Sequence, residues 1–190
     1  MLLISRACAC VLALGLTGVG GADGASFSLT EAEQAAAITL GAQSSESEDV
    51  GREWKVSGSQ GEVTVMTPFH RLVLAARQAA YKKTTLRPRE IQGLVREGRE
   101  RVVFWVSLHG PRVDFARRFE PTLTVGGSVV LPSLVQNEHT ALAQPDGRFL
   151  ARCVYSFPTR GVSPTAPVVL IVRGGQIEVA RFTLDLASMR

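Results

Sequence analysis

A chain of 190 residues with 45% hydrophobic residues and a net charge of +4 holds enough apolar material for one packed domain, and its composition is not that of a disordered segment. Three cysteines, Cys8, Cys10 and Cys153, exclude a disulfide-dense scaffold. No apolar run reaches the ~20 residues that a membrane-spanning helix needs.

The first segment decides the compartment. Arg6 precedes the apolar run Ala7–Leu16, and small residues from Thr17 to Ala25 offer a cleavage site near Ala22-Asp23-Gly24. That order reads as a secretory signal peptide over residues 1–25. The mature chain is expected to begin near Ser26 and to reside outside the cytoplasm, in a periplasm or extracellular space. Cys153 then remains as a lone thiol, expected in the core.

Charge is distributed unevenly. Residues 26–62 hold seven acidic against two basic residues, whereas residues 70–118 hold twelve basic against four acidic. A basic block of this kind suits an anionic partner. The alternative is that it simply faces water.

Thr30-Glu31-Ala32-Glu33 forms a capping-box pattern ahead of an alanine-rich run, so a short helix is expected over 31–41 with Gly41 as its stop. Ser44–Asp49 reads as an exposed acidic loop. Glu53–Ser57 and Glu62–Met66 alternate on either side of Gly58-Ser59-Gln60-Gly61, the pattern of a hairpin with Trp54, Val56, Val63 and Val65 inward. Thr67-Pro68 opens the clearest helix. Phe69, Leu72, Val73, Ala76 and Ala80 mark its apolar stripe, and His70, Arg71, Arg77, Gln78, Lys82 and Lys83 fall largely off it. A further short helix is expected over Pro88–Glu97, capped by Gly98.

Val102–Leu108 is apolar in both phases and reads as a central strand covered on both faces, with Trp54 and Trp105 as core residues. Val113–Val125 reads as a half-buried strand, or pair of strands, bent near Pro121. Gly126-Gly127 turns the chain into Ser128–Leu131. Pro132–Gly147 is the least regular stretch. Phe149, Ala151, Cys153, Tyr155 and Phe157 share a strand face. Val168–Arg173 and Gln176–Leu186 form a hairpin whose second strand changes phase near Ala180-Arg181, which calls for a bulge.

These elements predict a mainly β fold: an antiparallel two-sheet sandwich, loosely immunoglobulin-like, with two or three short helices inserted or appended. The expected organisation is a signal peptide over 1–25, a short helix and acidic linker over 26–50, and a single β-rich domain over 51–190 with a helical insertion over 68–97.

Motifs for chemistry are scarce. His70, His109 and His139 are separated by 39 and 30 residues, without the spacing of a metal site. There is no G-x-S-x-G elbow and no glycine-rich phosphate loop, so neither a metal nor a cofactor is expected. Nucleic acid is not expected as a partner either, because the basic block lacks interleaved exposed aromatics and the chain is read as exported. The leading expectation is an exported, non-enzymatic module with a binding or structural role in the cell envelope, its partner another envelope protein or an anionic surface. One alternative is a binder of anionic membrane or polyanion through Arg71, Arg77, Lys82, Lys83, Arg87 and Arg89, with Tyr81 and Leu86 adding apolar contacts. Another is a hydrolase assembled only in the fold around Asn137, His139 and Asp146.

Overall fold

The computed structural model describes residues 26–44, 47 and 50–190. The signal-peptide reading of residues 1–25 and part of the acidic loop lie outside them. Two antiparallel sheets form the body of the protein. The first runs β1 (Lys55–Gly58), β2 (Gly61–Met66), β3 (Arg101–Gly110) and β8 (Phe149–Pro158). Along the far edge of β8 lie the short strands β6 (Leu134–Gln136) and β7 (Leu142–Ala143). The second has the order β10 (Ile177–Asp185), β9 (Pro167–Gly174), β4 (Phe119–Val125) and β5 (Ser128–Val130).

The period-2 alternation of each long strand builds the core between the sheets. Val63 and Val65, then Phe104, Val106 and Leu108, then Ala151, Cys153, Tyr155 and Phe157 bury the inner face of the first sheet. Leu123, Val168, Leu170, Val172, Phe182 and Leu184 supply the second. The phase change in β10 is resolved where the sequence pattern asks for it: the β9–β10 register shifts between Glu178 and Ala180. This lets Ala180, Phe182 and Leu184 face inward while Ile177 stays exposed. Gly126 and Gly127, with φ of 55° and 87°, form the left-handed turn between β4 and β5 that a tight hairpin requires.

Three α-helices join this body: α1 (Glu31–Gln43), α2 (Pro68–Tyr81) and α3 (Pro88–Glu100). Thr30 and Glu33 form the expected capping box, and Thr67 caps α2 by accepting from the His70 amide at 3.1 Å. Both glycines read as helix stops have a different role. Gly41 lies inside α1, where a Cβ would collide with the Val73 carbonyl oxygen and Ala76 of α2. Gly98 lies inside α3, where a Cβ would strike the Pro68 ring. Each marks a close approach between helices, so α1 packs on α2 and α3 packs on the start of α2. Gly41→Ala is expected to lose about 1–3 kcal/mol through overpacking at that crossing. Hydrogen exchange should show α1 amides losing protection before those of β3 and β8.

Two further expectations are corrected. The segment 111–118 is a chain of turns, not strand. Its amides bond three residues back, Phe115 to Arg112, Arg117 to Asp114 and Phe119 to Ala116. Strand begins only at Phe119, and Pro121 sits buried within it opposite Val172. The outer face of β3 is also less covered than expected: Trp105 is 51% exposed although Phe104 beside it is fully buried.

Candidate functional site

The six basic residues singled out by sequence separate into two groups. Arg71 on α2 is largely buried and donates to Glu97 of α3 at 2.7 Å. Arg101 shares that carboxylate at 3.2 Å. The hydrogen bond from Arg71, aided by Arg101, holds the Glu97 carboxyl below the usual carboxylate range against a smaller opposing effect of burial. Two guanidiniums on one carboxylate thus pin α2, α3 and β3 together. Arg77 is also used internally, donating to the Ser47 carbonyl at 2.7 Å.

The other four, Lys82, Lys83, Arg87 and Arg89, lie exposed on and beside the connection from α2 to α3. Their side chains form no ion pair among the described residues. Tyr81, the last residue of α2, is 79% exposed next to them. Lys82 and Arg87 line an open cleft of about 770 Å³ between the two helices, together with Gln78, Thr84, Glu90 and Glu97. Both carboxylates are engaged, Glu97 as above and Glu90 by accepting from the Arg87 amide at 2.7 Å.

The backbone holding these cations is well defined. The Lys83 amide bonds the Ala80 carbonyl and the Thr84 amide bonds that of Ala79, each at 2.9 Å. This is a Schellman closure of α2. Its left-handed position, normally glycine, is Lys83 with φ 55°.

A second arrangement was not legible as a site. His70 sits in the first turn of α2, one position after Phe69 of the apolar stripe, and falls on the charged side by simple spacing. In the fold it is 2% exposed. The 3₁₀ turn Arg52–Trp54 brings Trp54 over it, with ring centroids 4.1 Å apart and planes at 8°. Its Nδ1 lies 3.0 Å from the Val65 carbonyl oxygen. A carbonyl only accepts, so Nδ1 carries the proton and Nε2 presents a lone pair. Burial pushes the His70 pKa down, opposed by the Val65 hydrogen bond and the Glu53 charge.

Trp54 Nε1–H and the Thr67 hydroxyl both donate to the Arg190 carbonyl oxygen at 2.6 Å. The Arg190 guanidinium pairs with Glu53 at 3.1 Å and lies over the Phe69 ring. A cavity of about 310 Å³ opens beside His70, lined by Val50, Thr64, Met66, Leu74 and Trp105 among others. Apolar neighbours around a hydrogen-bonded histidine were hidden from the sequence because they come from β2, β3 and the 3₁₀ turn.

The sign of the pH dependence follows from the lowered His70 value. The folded state resists the proton that an unfolded histidine takes up near 6.5. Stability is therefore fully present above that value and is lost as pH falls through the folded pKa. Denaturant midpoints should drop between about pH 7 and pH 5, and His70→Phe should flatten this part of the profile.

Asn137, His139 and Asp146 are not joined in one hydrogen-bonded set. The Asn137 amide donates to the Phe119 carbonyl at 2.9 Å and its oxygen accepts from the Tyr155 hydroxyl at 3.0 Å, which ties β8 to β4. Asp146 accepts from the Arg148 amide within a turn, and His139 is exposed with no side-chain hydrogen bond among the described residues. Cys153 is buried, and that burial raises its thiol pKa. Among the described residues, no three His, Cys, Asp or Glu side chains are grouped to hold a metal ion, and no helix is long and apolar enough to cross a membrane. In comparisons with known proteins, the chain matches no family model, no curated protein and no solved structure.

Proposed function

We propose that this chain is an exported, non-enzymatic β-sandwich module that docks in the cell envelope through the α2–α3 connection onto an anionic membrane surface. One observation carries the reading. Of six candidate cations, the four whose side chains make neither a hydrogen bond nor an ion pair among the described residues, Lys82, Lys83, Arg87 and Arg89, gather at that one connection beside an exposed Tyr81. Each basic side chain near an anionic leaflet contributes about 1 kcal/mol. Four together correspond to roughly a thousandfold in partitioning. Tyr81 suits the headgroup region, where an aromatic ring and a polar tip are both accommodated. The non-enzymatic part of the reading is supported by the structural use of Asn137 and Asp146.

Sedimentation with phosphatidylglycerol vesicles tests the docking. Binding is expected at about 0.01 M salt and should vanish at about 1 M, as the Debye length falls from ~30 to ~3 Å. Reversing the four charges to glutamate should abolish it, and equal binding to phosphatidylcholine vesicles would contradict it. Lys83→Gly separates docking from stability. Relieving the left-handed lysine should stabilise the fold by about 1 kcal/mol, while loss of one cation weakens vesicle binding several-fold.

A second reading, an envelope protein as partner, is favoured by the apolar side chains of Val129, Leu131, Leu134 and Leu142, exposed on or beside the short strands β5, β6 and β7. Crosslinking and pull-down from the native envelope should then return one stoichiometric partner.

A further inference from the structure

The cavity beside His70 is a separate feature from the cationic connection. Its volume of about 310 Å³ lies within the range of small-ligand sites. It is about twice the ~150 Å³ cavity that accommodates benzene, which points to a two-ring molecule. One wall is Trp105, a large aromatic left 51% exposed on a central strand. Val50, Met66 and Leu74 extend that apolar surface.

The polar groups are few and specific. His70 is 98% buried, and its Nδ1 is committed to Val65. Its Nε2 is an acceptor with no hydrogen-bond partner among the described residues. Gly51, another wall of the cavity, would place a Cβ 3.6 Å from Nε2, so this nitrogen is the ring atom on the cavity side. Thr64 adds a hydroxyl that makes no side-chain hydrogen bond among the described residues. Two cationic residues also line the cavity, Arg52 and Lys55; Arg52 is engaged in its own interaction and Lys55 is held by Glu62 at 3.0 Å, so they disfavour a cationic guest without offering an unpaired cation to an anionic one.

We propose that this cavity binds a small, uncharged, planar aromatic molecule with one O–H or N–H donor, of the phenol or indole class. The ring lies against Trp105, and the donor bonds His70 Nε2. An acceptor that opens into the cavity and that a bound ring would shield from water discriminates between a ligand that donates to it and an isostere that cannot.

The test is a titration of the purified protein, followed by amide and indole NMR shifts, with 2-naphthol and with 2-methoxynaphthalene, which lacks the donor. Saturable binding of 2-naphthol is expected, with shifts centred on Trp105, Gly51 and the start of α2. The methoxy probe should bind at least about tenfold more weakly. Trp105→Ala changes a half-exposed side chain and should fold; it is expected to weaken 2-naphthol about tenfold or more. His70→Phe, where folded, should erase the preference between the probes. No saturation at millimolar 2-naphthol, equal affinity for the two probes, or unchanged affinity in Trp105→Ala would overturn the assignment.

Discussion

Replacing Trp54 with alanine is expected to destabilise the fold by about 3–5 kcal/mol, with a midpoint lowered by roughly 10 °C or more. Trp54 is 1% exposed, and three contacts depend on its ring. It stacks on His70, packs near Phe69 at 6.3 Å between centroids, and donates its indole N–H to the Arg190 carbonyl. The loss should therefore combine a cavity with the release of the segment after β10. Chemical denaturation measures the first part. The second predicts that amides around Leu186–Arg190 exchange faster in the variant than the amides of β3. His70 should also become accessible, so its pH-dependent contribution to stability should shrink in the same protein.

The second large effect is expected at Phe104. It is fully buried at the centre of β3 and meets Phe157 edge to face, at 5.6 Å and 78°. Phe104→Ala should also cost about 3–5 kcal/mol. Trp105→Ala, one residue along the same strand, should cost under about 1 kcal/mol because that side chain is half in solvent. The contrast between adjacent positions tests the register of the whole first sheet, since a slip of one residue would exchange the two faces. Comparable losses at both positions would mean that the outer face of β3 is covered after all.

Much of the architecture was readable because local chemistry and tertiary packing ask for the same thing. The capping box at Thr30, the Thr67-Pro68 start of α2, the two-glycine turn at 126–127 and the phase change before Phe182 are each specified by a few adjacent residues. The misreadings share a cause as well. Gly41 and Gly98 resemble stops by local rules, yet their missing side chains serve neighbouring helices that are distant in sequence. Trp105 alternates as a core residue should, but nothing in β3 itself reveals how little covers its outer face. The alternation from Val113 to Phe119 mimics a strand, while three successive turn hydrogen bonds use the backbone instead.

The candidate sites divide along the same line. Lys82, Lys83, Arg87 and Arg89 are close in sequence, so a charge count finds them. Which cations are already engaged is a tertiary fact, because Arg71 meets Glu97 across 26 residues and Arg77 meets Ser47 across 30. The His70 cavity was harder to find, since its walls come from four separate segments and its key atom is defined by a backbone carbonyl on β2.

The proposed envelope role stands on export, and mass spectrometry of the protein recovered from fractionated producing cells tests this most directly. A mature N-terminus near Ser26 in the periplasmic or extracellular fraction is the predicted result. Protein confined to the cytosol and still beginning at Met1 would contradict it.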